Sequence, residues 1–360
     1  MKKAARIAVC VLTVSFILSL VLLIYLSKIP NKVELPLNKN VKELGVIVLA
    51  HGGSPRWNNE VRKAAGKLAD RYPTIVVLGM ADATATQKAV DALEDLGVNK
   101  IAVIPLYVSS HSELYRQIEF ILGLRSAPDP DYVEAMHRAM ENPLKFVWKK
   151  VTLKNVQYAL KMIKSHRAMN LNQQVARRVP LVFLPALDKS PLVGEILAQR
   201  ALKLSTKPSE ESVLIVAHGP LRDDDDMLWT ADMESLAEPV RKLGFRSVCV
   251  GTMRDDAPEE IKNRAVARLR RLVEECVAKG SRAIVIPLLL APGGVESEIR
   301  HLLRKLPYIY DGNTLLPHVN VEKWLFLSAE SAMRKREISL GDVFRSSVSG
   351  DIMVSEHVRR

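Results

Sequence analysis

The stretch Gly45-Val46-Ile47-Val48-Leu49-Ala50-His51-Gly52-Gly53-Ser54 constrains the fold more than any other. Its apolar residues run without polar alternation, the pattern of a parallel strand buried on both faces, so helices must cover the sheet on either side. The run stops at a histidine followed by two glycines, residues that let the backbone turn sharply and let a flat ligand approach. Open α/β sheets bind ligands beyond the carboxyl ends of their strands, which places His51 where chemistry is done. The pattern recurs as Val213-Leu214-Ile215-Val216-Ala217-His218-Gly219-Pro220.

The repetition extends further. A second strand at Thr74–Leu78 ends in Gly79-Met80-Ala81-Asp82, and a third over 100–108 ends in Ser109-Ser110-His111-Ser112-Glu113. Helices are expected at 59–71, after a loop through Pro55 and Trp57, and at 84–96 and 114–122. In the second half, Val248-Cys249-Val250-Gly251-Thr252-Met253-Arg254-Asp255 and Ala283-Ile284-Val285-Ile286-Pro287-Leu288-Leu289-Leu290 mirror the second and third strands. Three matched strand ends in the same order indicate a duplication. The expected division is a first lobe over 44–127, a helical insertion or connector over 128–178, a second lobe over 179–325 and a tail over 326–360. A strand at 179–184 opens the second lobe in this reading. Val156, Leu160 and Ile163 give the connector a helical period.

At the amino terminus, residues 7–26 are apolar apart from Thr13, Ser15 and Ser19. Twenty helical residues span about 30 Å, the thickness of a bilayer's hydrocarbon core. A basic flank (1–6) precedes the stretch, a tether (27–43) follows, and no small-x-small cleavage site closes it. The expectation is a single-pass signal anchor with the globular part outside the cytoplasm, although Lys28 and Lys32 weaken the charge asymmetry. Lys and Arg outnumber Asp and Glu by 52 to 40, a net charge of +12 spread along the chain, and no nucleic-acid motif accompanies it. Cys10, Cys249 and Cys276 form no CxxC pair, which argues against zinc-ribbon and redox classes and for inert thiols.

Ala50-His51-Gly52-Gly53, Gly79-Met80-Ala81-Asp82 and Pro105-Leu106-Tyr107-Val108-Ser109-Ser110-His111 resemble the class II tetrapyrrole chelatases, most closely the long-form sirohydrochlorin cobalto- and ferrochelatases. Ala217-His218-Gly219-Pro220 and Val285-Ile286-Pro287-Leu288-Leu289-Leu290-Ala291-Pro292-Gly293-Gly294 carry the same signatures in the second half. The resemblance implies two flavodoxin-like α/β lobes with parallel sheets, here preceded by a transmembrane helix. It also implies ATP-independent insertion of a divalent metal (Co²⁺, Fe²⁺ or Ni²⁺) into a tetrapyrrole such as sirohydrochlorin, with the metal as substrate and no fixed cofactor. Matched residue by residue, the family's catalytic histidines fall on His51 and His111, with Glu113 as a third candidate. In the second lobe the position matching His111 is Gly293 or Glu296, so His218 reads as a relic that holds its turn. The alternative is a membrane-anchored carrier or sensor of metal or haem.

These residue types suit the chemistry. Neutral imidazole ligates borderline divalent metals and accepts protons near neutrality, and a carboxylate can hold a departing pyrrole proton. Two histidines and a carboxylate with open positions bind a metal loosely enough to surrender it. Arg56, Lys63, Arg116 or helix amino termini would pair with substrate carboxylates. Met80 and Asp82 read as packing and turn residues, and Asp223-Asp224-Asp225-Asp226 as a solvated acidic loop. His137, His166, His301, His318 and His357 receive no role.

Overall fold

In the first sheet of the computed structural model, β1 (Gly45–Ala50) lies between β2 (Thr74–Leu78) and β3 (Ile101–Pro105), and β4 (Leu181–Phe183) pairs with β3. Every pairing is parallel. The structure describes residues 43–141, 170–278 and 280–334. The predicted anchor (7–26), its flanks and tether, Cys10, the periodic stretch around Leu160 and the last part of the tail lie outside them. Among the described residues no helix is long and apolar enough to cross a membrane.

The apolar runs are explained by burial on both faces. Val46, Val48 and Ala50 point to one side of the sheet, and Ile47 and Leu49 point to the other. On the outer side Ile47, Val77 and Val103 pack under α2 (Ala83–Asp95), α3 (Glu113–Ile121) and α4 (Pro130–Glu141). On the inner side, α1 (Pro55–Ala69) contributes Val61, Ala65 and Leu68. This helix starts where a loop was expected. Ser54 accepts a hydrogen bond from the Trp57 N–H, and Pro55 occupies the first turn, where no amide donor is needed.

The second sheet repeats the order. β5 (Glu211–Ala217) lies between β6 (Ser247–Thr252) and β7 (Arg282–Leu288), again all parallel. A parallel bridge at Ile309, bonded through Val285 N–H and Ala283 C=O, occupies the place that β4 holds in the first sheet. Its outer side is covered by α7 (Glu259–Ala278) and α8 (Val295–Leu302). Cys276 is buried there and Cys249 partly so, both as free thiols.

Two expected boundaries are corrected. The strand expected to open the second lobe belongs to the first sheet, because Leu181, Val182 and Phe183 pair with Ile101, Ala102 and Val103. The tail boundary also moves. α9 (Val319–Arg334) runs beyond residue 325 and buries Ala329 and Ala332. Both segments are fixed by contacts distant in sequence, which a local pattern does not carry.

The last helix of each half crosses to the other half. α5 (Pro191–Leu204) follows β4 of the first sheet but packs on β7 and on α6 (Asp223–Arg241). α9, from the second half, packs on β3 and α1. One apolar core therefore runs from Val48 of the first sheet, through Leu197, Met233 and Leu325, to Ile215 of the second. At the α5–α6 crossing only a glycine fits, since a Cβ on Gly194 would meet Pro239 Cγ at 2.9 Å. The order is helices, sheet, shared helices, sheet, helices, all within the unit Leu35–Arg360.

Candidate functional site

The carboxyl ends of both sheets carry the same histidine turn. In the first lobe His51 Nδ1 lies 2.7 Å from Gly52 O, and in the second His218 Nδ1 lies 3.0 Å from Gly219 O. Gly52 and Gly219 hold φ of 79° and 85°, a left-handed conformation that suits glycine. An Nδ1–H donated to a backbone carbonyl leaves Nε2 as the ring's ligating or proton-accepting atom.

His111 is held by a second set of contacts. β1 and β3 are neighbours, so His51 and the loop of His111 issue from adjacent strands at one end of the sheet. Asp188, beyond β4, accepts from Ser110 N–H at 2.6 Å and from its hydroxyl at 2.8 Å, while Ser109 Oγ accepts from His111 N–H at 3.0 Å. His111 Nε2 lies 3.1 Å from Asp232 Oδ2, a carboxylate on α6 of the second lobe. Ser112 caps α3.

Glu113, in the first turn of α3, faces across to the other lobe. Leu221 N–H donates to its carboxylate, and burial raises its pKa above the ordinary carboxylate value. Its Oε2 is buried without a hydrogen-bond partner. Arg116, proposed for substrate carboxylates, is occupied instead. Its Nε lies 2.6 Å from Asp129, and its Nη1 lies 2.8 and 2.9 Å from the two oxygens of Asp225. Lys63 pairs with Glu60 at 3.3 Å, while Arg56 is exposed.

Residues 223–226 are a helix start, not a solvated loop. They form the first turn of α6, where carboxylates complement the helix dipole. Asp225 pairs with Arg116, Asp226 accepts from Thr252 Oγ1 at 2.6 Å, and Asp223 pairs with Arg254. Asp82 caps α2 by accepting from Ala85 N–H, as a turn residue should, and Met80 C=O accepts from Tyr132.

His218 holds its turn and also faces two carboxylates. Its Nε2 lies 3.2 Å from Asp255 Oδ1 and 3.4 Å from Asp256 Oδ2. Among the described residues these three form the group whose ligand atoms stand within 4.8 Å of one another, and His51, His111 and Glu113 do not form such a group. Burial favours a neutral ring, but Asp255 and Asp256 outweigh it and lift the His218 pKa to about 9, with a smaller contribution from Glu113. In this lobe Gly293 faces Trp57 of the first lobe, and a Cβ there would lie 3.0 Å from its Cδ1. Glu296 is turned back to accept from the Gly294 N–H at 2.8 Å. The sequence held one signal for the acidic pair, two consecutive aspartates three residues after a strand end. Nothing local pointed to Asp188 or Asp232.

The chain thus has two parallel α/β lobes with a histidine at the end of the first strand of each. Residues 45–204 match the family model described as CbiX. Among solved structures, SirB from Bacillus subtilis with Fe³⁺ superposes with a TM-score of 0.50 at 13% identity, covering 81% of this chain and 96% of that one. DR2241 from Deinococcus radiodurans, a multi-domain protein described as similar to chelatases, matches at 14% identity and a TM-score of 0.45, covering 85% of this chain and 60% of its own. No curated protein matches the sequence.

Proposed function

We propose that the protein inserts a divalent metal, Co²⁺ or Fe²⁺, into sirohydrochlorin or a related tetrapyrrole without ATP, and that His51, His111 and Glu113 do the work. The observation carrying this reading is the emergence of His51 and His111 from adjacent strand ends within the CbiX-matching segment. Insertion requires removal of two pyrrole protons and delivery of a desolvated cation to one ring centre. An imidazole Nε2 suits both tasks. Asp232 orients the His111 ring, and Asp188 steadies its loop. Glu113 retains a proton more readily than an ordinary carboxylate, which suits a group receiving one from the macrocycle. SirB, seen with Fe³⁺, is a metal-binding protein of the same fold. The membrane anchor at 7–26, with the lobes outside the cytoplasm, belongs to the same proposal, and a carboxyl-terminal reporter active on one side only would decide it.

The test is a spectroscopic assay of the purified full chain with sirohydrochlorin and Co²⁺ under anaerobic conditions. The absorbance shift should outpace the spontaneous reaction. His51→Ala and His111→Ala should each slow it about a hundredfold or more, and Glu113→Gln about tenfold. A wild-type rate equal to the spontaneous one would overturn the proposal.

A further inference from the structure

We propose that the second lobe carries a divalent-metal site of its own, formed by His218 Nε2 with one carboxylate oxygen each from Asp255 and Asp256. Neither His51 nor His111 is among its ligands, and it stands whether or not the first lobe inserts metal. Spacing is the first argument. Ligand atoms each about 2.1 Å from a tetrahedral or octahedral ion stand about 3.0–3.4 Å apart. His218 Nε2 lies 3.2 and 3.4 Å from its two carboxylate oxygens.

The second argument is an unmet valence. Asp255 Oδ1 is buried and makes no hydrogen bond, although it lies within ion-pair distance of the imidazole. A carboxylate and a ring nitrogen facing each other at that separation without hydrogen-bond geometry are placed as ligands of one cation are placed. The third is the orientation of the ring, since His218 Nδ1 is paired with Gly219 O, a backbone arrangement that presents Nε2 to a metal.

The backbone fixes the three together. The β5–β6 ladder continues beyond the strands, with Met253 N–H donating to Ala217 O at 2.9 Å and Arg254 N–H to His218 O at 2.6 Å. This sets Asp255 beside the ring. Arg254 is buried, donates to Pro220 O and Leu221 O, and pairs with Asp223, so it braces the histidine loop from below. In the first lobe the register of the same ladder brings Ala81 and Asp82 to these places, and Asp82 is committed to capping α2. The acidic pair is therefore a feature of the second lobe alone.

One imidazole and two carboxylates select a first-row divalent ion (Co²⁺, Fe²⁺, Ni²⁺ or Zn²⁺) over Mg²⁺ or Ca²⁺, which prefer all-oxygen sites. Three protein ligands leave positions open, so the ion is exchangeable.

The experiment is equilibrium dialysis of the full chain, stripped by a chelator, against Co²⁺ with no tetrapyrrole present. The wild type should hold a Co²⁺ ion that the His51→Ala, His111→Ala double variant retains and the His218→Ala variant loses. Asp256→Asn changes a side chain that is 72% exposed, so the fold is unaffected, and it should weaken Co²⁺ at least tenfold. If His218→Ala does not fold, Asp256→Asn decides alone. Wild-type affinity in Asp256→Asn, or no Co²⁺ on the wild type, overturns the site. Because no macrocycle is present, failure here is distinct from failure of metal insertion.

Discussion

His218 shows how much a single ring gains from its neighbours. Alone at a strand end it is an ordinary turn histidine. With Asp255 and Asp256 at 3.2 and 3.4 Å it becomes a group that holds its proton to about pH 9 in the metal-free chain. The folded pKa lies above the ordinary value of 6.5. Its contribution to stability is therefore fully present below about pH 6.5 and is lost as pH rises through 9. Solvent reaches part of the cluster, which limits the effect to about 1 kcal/mol. Thermal melts in chelator should show the wild type losing stability between pH 6 and 10, and Asp256→Asn losing less. Equal slopes for the two proteins would contradict the pairing. His111 has a different partner, Asp232, from the opposite lobe. The two lobes thus use one residue type in two electrostatic settings.

At the scale of elements, the crossed helices matter most. α9 belongs to the second half by sequence and to the first sheet by packing, and Leu325 at its centre is fully buried. Leu325→Ala should cost about 2–5 kcal/mol, the range for a leucine removed from a well-packed core. Urea unfolding would measure that cost. Hydrogen exchange should show added opening in the amides of β3, which α9 covers, and exchange confined to α9 itself would argue against the crossed packing. Continuous apolar runs revealed β1, β2 and β3, which are buried on both faces, and helical periodicity revealed the helices that follow them. They did not reveal where β4 pairs. Three residues, Leu181 to Phe183, are too few to carry a register, and only the free edge of β3 decided it. The acidic run at 223–226 is a helix start rather than a loop for a similar reason. Its charges are compensated by Arg116 and Arg254, at large sequence separation.

For the whole molecule, the shared helix layer makes the halves interdependent. The CbiX-matching segment 45–204 keeps α1 and α5 but loses α9, which covers α1 and β3, and loses the β7 surface on which α5 rests. Expressed alone, it should fail to give a cooperative unfolding transition, because a large apolar face would stand in water. Circular dichroism with thermal melting checks this, and a sharp two-state melt would show that the lobe is self-sufficient. Arg116, bridging Asp129 and Asp225, and Arg200 of α5, donating to Pro287 O at 2.9 Å, add polar ties across the same boundary.

The sequence by itself determined the parallel strands, their duplication and the strand-end positions of His51, His111 and His218. Burial on both faces and a histidine-glycine turn write themselves into consecutive residues. Tertiary structure alone decided which half each closing helix serves, that Arg116 is bound to carboxylates, and that Asp232, Asp255 and Asp256 face imidazoles. These contacts join residues from different strands or different lobes, and their energy depends on distances that no stretch of sequence encodes.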